Sequence, residues 1–61
     1  MDTYLAFIRR ASGMSYYRLM ADEPNGLSHV LTTWRPVKNE REARRIAKQE
    51  KMPFREITVT T

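Results

Sequence analysis

Apolar positions along the chain fall into short runs punctuated by turn residues, the rhythm of β-strands rather than of long helices. Thr3 to Arg10 (Thr-Tyr-Leu-Ala-Phe-Ile-Arg-Arg) is rich in aromatic and β-favouring residues and stops at Ser12-Gly13. Ser15 to Ala21 repeats that character with Tyr16, Tyr17, Leu19 and Met20. Asp22-Glu23-Pro24-Asn25-Gly26 follows. Proline presets φ for a turn there, and Asn-Gly tolerates the positive φ that reverses a chain. Leu27 to Trp34 then reads as a third strand, ended by Arg35-Pro36. Together these runs predict an antiparallel meander.

The period then changes. Asn39 is a good N-cap, because its side-chain oxygen can accept from an unpaired amide one turn on. Glu42 occupies the reciprocal capping position, and Glu40 favours the positive end of the helix dipole. The pattern predicts a helix to about Met52, where Pro53 blocks continuation, with Lys48 and Lys51 at the end that welcomes cations. Its apolar face is narrow: Ala43, Ile46, Ala47 and Met52. Phe54 to Thr60 alternates as a fourth strand, Ile57 and Val59 to one side and Glu56 and Thr58 to the other. The expected fold is α+β. It is a single domain over residues 1–61: a four-stranded, mainly antiparallel sheet in the order β-β-β-α-β, with one helix packed on one face.

One helix covers one side of a sheet, so the strands should alternate between apolar and polar residues. The first three do not. Leu5 and Phe7 oppose Tyr4, Ala6 and Ile8; Tyr17 and Leu19 oppose Tyr16, Arg18 and Met20; Val30 and Trp34 oppose Leu27, His29 and Leu31. Whichever set meets the helix, the other leaves apolar area mixed with Arg9 or Arg10 and Arg18. Uncovered apolar area on a small protein marks a contact surface, and Tyr, Trp, Met and Arg are the types enriched there. A second copy of the chain is another candidate to cover it.

Charge sharpens the picture. The chain carries +4, and the Met1–Trp34 stretch is neutral, with Arg9, Arg10 and Arg18 against Asp2, Asp22 and Glu23. All the excess therefore lies after Trp34. Arg41, Arg44 or Arg45, Lys48 and Lys51 recur at helical spacing, with Arg35, Lys38 and Arg55 near in sequence. Such a ridge suits phosphates or an acidic protein surface, and would make binding salt-sensitive.

Other chemistry is sparse. His29 is the sole histidine and there is no cysteine, so no metal-ligand spacing exists and no metal or cofactor is expected. Ser28 and His29 are strand neighbours on opposite faces, and both glycines read as turn residues. No catalytic set is expected, and the chain reads as non-enzymatic. The longest apolar run, Tyr4 to Ile8, is far below the roughly 20 residues of a membrane span. Met1-Asp2-Thr3 lacks the basic start of a secretory signal. A cytoplasmic protein without a membrane partner is the expectation.

Three antiparallel strands followed by a helix resemble the sheet-reading DNA-binding modules of phage integrase arm-binding and plant AP2-type domains. The likeness rests on Tyr16-Tyr17-Arg18, the Pro24-Asn25-Gly26 turn and Glu42-Ala43-Arg44, covers roughly Tyr4 to Lys51, and leaves the fourth strand without a counterpart. It implies strand side chains entering a major groove. Size and architecture are also similar to the small phage proteins that block host machinery, anti-CRISPR inhibitors among them. The expected function is a basic binding module associated with nucleic acid through Arg41, Arg44, Arg45, Lys48, Lys51, Arg35, Lys38, Arg18, Tyr16 and Arg9. The alternative is a phage-type inhibitor or adaptor that binds a host protein or nucleoprotein complex in the host cytoplasm. A homodimer with a structural sheet face is the third reading.

Overall fold

The structure is a computed structural model and describes residues 2–60. Its elements are β1 (Asp2–Arg10), β2 (Ser15–Asp22), β3 (Ser28–Val30), β4 (Arg35–Pro36), α1 (Glu40–Gln49) and β5 (Phe54–Val59). The sheet runs β3-β2-β1-β5, and β4 also pairs with β2. β1 is antiparallel to β2 and parallel to β5, so the sheet is mixed. The α+β class holds, with five strands instead of four.

The fifth strand comes from a break in the expected Leu27–Trp34 run. β3 pairs with Met20, Ala21 and Asp22 only. At Leu19 the Thr32 hydroxyl accepts the backbone N–H at 3.0 Å in place of a strand carbonyl. The chain rejoins β2 as β4, where Arg35 lies opposite Tyr17 and Pro36 opposite Tyr16. The outer edge of β2 is thus served in turn by a strand, a side chain and a second strand. The residues between are free to leave the sheet plane, and Trp34 uses that freedom.

Both turns form where glycine allows positive φ. Gly13 (φ 95°) closes β1 onto β2, and its N–H donates to the Arg10 carbonyl at 2.9 Å. Gly26 (φ 89°) closes β2 onto β3, where Asn25 Oδ1 accepts from the Leu27 N–H at 3.0 Å.

The core lies between sheet and helix. Leu5, Phe7, Val37, Ala43 and Ala47 form it, flanked by half-buried Tyr17, Leu19, Ile46 and Phe54. Leu5 and Phe7 are fully buried, each contributing about 1.5–3 kcal/mol by leaving water. The alanines let α1 lie close to β1, so a thin apolar stripe suffices. Asn39 caps the helix as expected, accepting from the Glu42 N–H at 2.9 Å. The Glu42 carboxylate does not return to Asn39; it accepts from the Lys38 N–H at 3.3 Å, one residue earlier.

The helix ends sooner than the expected Met52. Met52 precedes proline and is biased toward extended backbone, and the chain must reverse to enter β5. Glu50 is the C-cap, Lys51 takes a left-handed conformation (φ 56°), and the Lys51 and Met52 N–H groups donate to Lys48 and Ala47 carbonyls at 3.1 and 2.9 Å. This is the reversed-turn cap that normally places glycine at the left-handed position. Lys51→Gly should therefore raise stability by about 0.5–1 kcal/mol, read as a higher urea midpoint; a lower midpoint would show that the Lys51 side chain holds the cap.

Candidate functional site: the sheet face opposite the helix

Pairing register assigns each side chain to a face. Leu5 lies opposite Leu19 and Phe7 opposite Tyr17, all toward the helix. Tyr4, Ala6, Ile8 and Arg10, with Tyr16, Arg18 and Met20, therefore point the other way. Arg55 and Ile57 join them, because Arg55 pairs with Ala6 and Ile57 with Ile8. No helix covers this second face, yet Tyr4, Ala6 and Ile8 are buried.

The cover is a layer of arginines and aromatic rings. The Arg55 guanidinium lies 3.9 Å from the Tyr4 ring centroid and pairs with Asp22 at 3.1 Å. The Arg18 guanidinium lies 4.1 Å from the Trp34 ring, and Trp34 meets Tyr16 edge-on at 4.9 Å. Arg10 donates from Nε to the Tyr16 hydroxyl at 2.7 Å. Each stack contributes about 0.5–1 kcal/mol at an exposed site, while the long side chains keep water off β1. Arg18 and Arg10 carry no ion pair among the described residues, and the buried Nε of Arg18 has no hydrogen-bond partner. Around this layer Trp34 (39% exposed), Ile57 (45%) and Val30 (52%) leave apolar area open to solvent.

The basic residues of the helix lie on the opposite side of the sheet, so the expected site divides in two. Arg41, Arg45 and Lys48 form an exposed row without ion pairs among the described residues. Lys38, Asn39, Arg41, Glu42 and Arg45 line a shallow depression of about 420 Å³ at the helix start. Arg35 is exposed on β4, and Lys51 serves the helix cap. Arg44 stands apart from the row: its guanidinium stacks 4.2 Å over Phe54 and its Nε donates to Glu40 at 2.7 Å. Arg9 likewise pairs with Glu40 at 3.0 Å and Glu56 at 3.5 Å, tying β1 to α1 and β5. Only Arg18 and Tyr16 of the expected set belong to the face opposite the helix.

Arg10, Arg55 and Trp34 complete that face, although none stands in the final expected binding set. Arg10 shares strand parity with Tyr4 and Ile8, a signal present in the sequence. Arg55 reaches Tyr4 only through the parallel β1–β5 register, and Trp34 arrives through the break after β3. His29 on β3 is exposed and meets Glu23 at 2.7 Å. Among the described residues no three His, Asp or Glu side chains gather as metal ligands, and no helix is long and apolar enough to cross a membrane. Comparisons with protein-family models, curated proteins and solved structures find no match.

Arg44, by its hydrogen bond and then its charge, holds the Glu40 carboxyl below its ordinary value of 4.5, with Arg9 adding to the effect. A depressed folded-state pKa stabilises the fold above the ordinary value, and that contribution fades as pH falls through the depressed one. Glu40→Gln should lower the unfolding midpoint near neutral pH, and the gap from the native chain should narrow as pH drops below about 4. Urea titrations across pH 2–7 check this; a gap constant with pH would remove Glu40 from the acid response.

Proposed function

We propose that the chain is a non-enzymatic module that binds single-stranded nucleic acid on the sheet face opposite the helix. The observation carrying this reading is the Arg18–Trp34–Tyr16–Arg10 cluster: a guanidinium over the Trp34 ring, Trp34 edge-on to Tyr16, and Arg10 bonded to the Tyr16 hydroxyl, with neither arginine in an ion pair among the described residues. Unstacked bases bind by stacking on aromatic rings and on guanidinium planes, while arginine forks reach backbone phosphates. The Arg18 guanidinium enters no ion pair among the described residues, so its charge is left for a phosphate. The Lys38, Arg41, Arg45 and Lys48 row lies on the other side of the molecule. Its role is the long-range attraction that raises encounter rate.

A second reading is favoured by the open Val30, Trp34 and Ile57 side chains. In it the same face grips an acidic-rimmed protein surface, as an inhibitor or adaptor of phage type would.

Anisotropy titration of the full chain with labelled single-stranded and duplex oligonucleotides, at low and near-physiological salt, separates these readings. Salt-sensitive binding that prefers the single strand is expected. Trp34→Ala and Arg18→Ala should each weaken it by about 1–3 kcal/mol, and Arg41→Ala with Arg45→Ala by less, with a shallower salt slope. Absence of salt-sensitive binding, or a larger loss from the helix pair, would reject the nucleic-acid reading. A stoichiometric protein partner retained from nuclease-treated lysate and lost with Trp34→Ala would support the second.

A further inference from the structure

β5 ends the sheet, and no described strand pairs with its outer edge. The Pro53 and Val59 carbonyls both face β1: the first accepts from the Leu5 N–H, the second from the N–H of Ala11, the residue just after that strand. The N–H and C=O of one strand residue point the same way, so those of Glu56 and Thr58 point outward, unpaired by protein. Proteins usually guard such an edge with charge, proline or a bulge. β5 contains no proline, and its only charged side chains, Arg55 and Glu56, are drawn inward to Asp22 and Arg9. Residues 55–58 are all exposed.

We propose that this edge pairs with β5 of a second copy of the chain, antiparallel, about a two-fold axis at Ile57. Outward backbone groups belong to even-numbered residues, so only registers that match even with even form hydrogen bonds. A two-fold at Glu56 sets two carboxylates face to face, and one at Arg55 sets two guanidiniums face to face; like charges directly opposite destabilise a pair. A two-fold at Thr58 avoids this but overlaps fewer strand residues. At Ile57, Glu56 meets Thr58 and Arg55 meets Val59 of the second copy, and the exposed Ile57 side chains meet each other. Glu56 and Thr58 then exchange about four hydrogen bonds across the two chains. The axis runs along the sheet normal, so both uncovered faces lie on one side of a doubled sheet.

The chain has no cysteine, which makes the register directly readable. Ile57 would sit on the axis as a non-hydrogen-bonded pair with Cα atoms about 4.5 Å apart, inside the roughly 4.4–6.8 Å span of a disulfide. Two Val59 residues would lie about four residue rises apart, roughly 13 Å, too far to bridge. Sedimentation of the full chain should show a concentration-dependent species of twice 7.2 kDa. Thr58→Pro removes an outward N–H at an edge that tolerates proline. It should restore the monomer mass with the folded circular dichroism signal intact. Mild oxidation should cross-link Ile57→Cys to near completion and leave Val59→Cys without a covalent link. A single monomer mass up to submillimolar concentration would overturn the proposal. So would a dimer that survives Thr58→Pro, or equal cross-linking of the two cysteine variants. Oligonucleotide titration of Thr58→Pro reads the opposite face independently of pairing.

Discussion

The governing constraint is geometric: one ten-residue helix shields one face of this sheet, and the other face must be closed by the strands themselves. The chain meets this with arginine. Arg55, Arg18 and Arg10 lie across Tyr4, Trp34 and Tyr16, so that Tyr4, Ala6 and Ile8 are buried under guanidiniums rather than under a second layer of helices. Arginine suits the task because its planar head is weakly hydrated and stacks on rings, while its stem covers aliphatic neighbours. The same side chains then present charge to the outside, so one layer both covers β1 and carries the charge of that face.

A different set of ion pairs holds the helix side. Arg9 reaches both Glu40 and Glu56, and Arg44 bridges Glu40 and the Phe54 ring. These residues join β1, α1 and β5 where direct apolar contact is thin, since the helix offers only alanines and Ile46. Exposed pairs are individually weak. Their place is at the rim of a small core, and there they fix how the helix sits over the parallel β1–β5 pair. Arg9 and Arg44 are thus tied up in ion pairs on the helix side, and the cations without ion pairs among the described residues include the Arg41–Arg45–Lys48 row and, on the other sheet face, Arg10 and Arg18.

The charged and aromatic side chains of this chain are spread over two surfaces rather than gathered in one cleft. The depression lined by Lys38, Asn39, Arg41, Glu42 and Arg45 at the helix start is shallow and mostly charged, and the described residues gather no ligand set for a metal. What the chain offers is two broad surfaces of opposite geometry: a convex helix row of separated cations and a sheet of stacked rings and guanidiniums. In the proposed function the first acts at a distance through its field, and the second at contact, through shape and stacking.

Local chemistry alone determined much of this. The Gly13 and Gly26 turns, the Asn39 cap, the narrow Ala43–Ala47 face, the strand parities and the excess of apolar area beyond one helix all follow from nearest-neighbour rules. They need only backbone sterics and side-chain period. The tertiary structure decided the rest, because pairing is non-local. The parallel β1–β5 register carried Arg55 onto Tyr4, and Thr32 replaced a strand carbonyl and released Trp34 onto Arg18. The crossover placed the basic helix on the side away from Tyr16 and Arg18. A one-dimensional pattern says which residues share a face of their own strand. Which strands lie together, and which side the helix takes, depends on contacts between residues far apart in the chain.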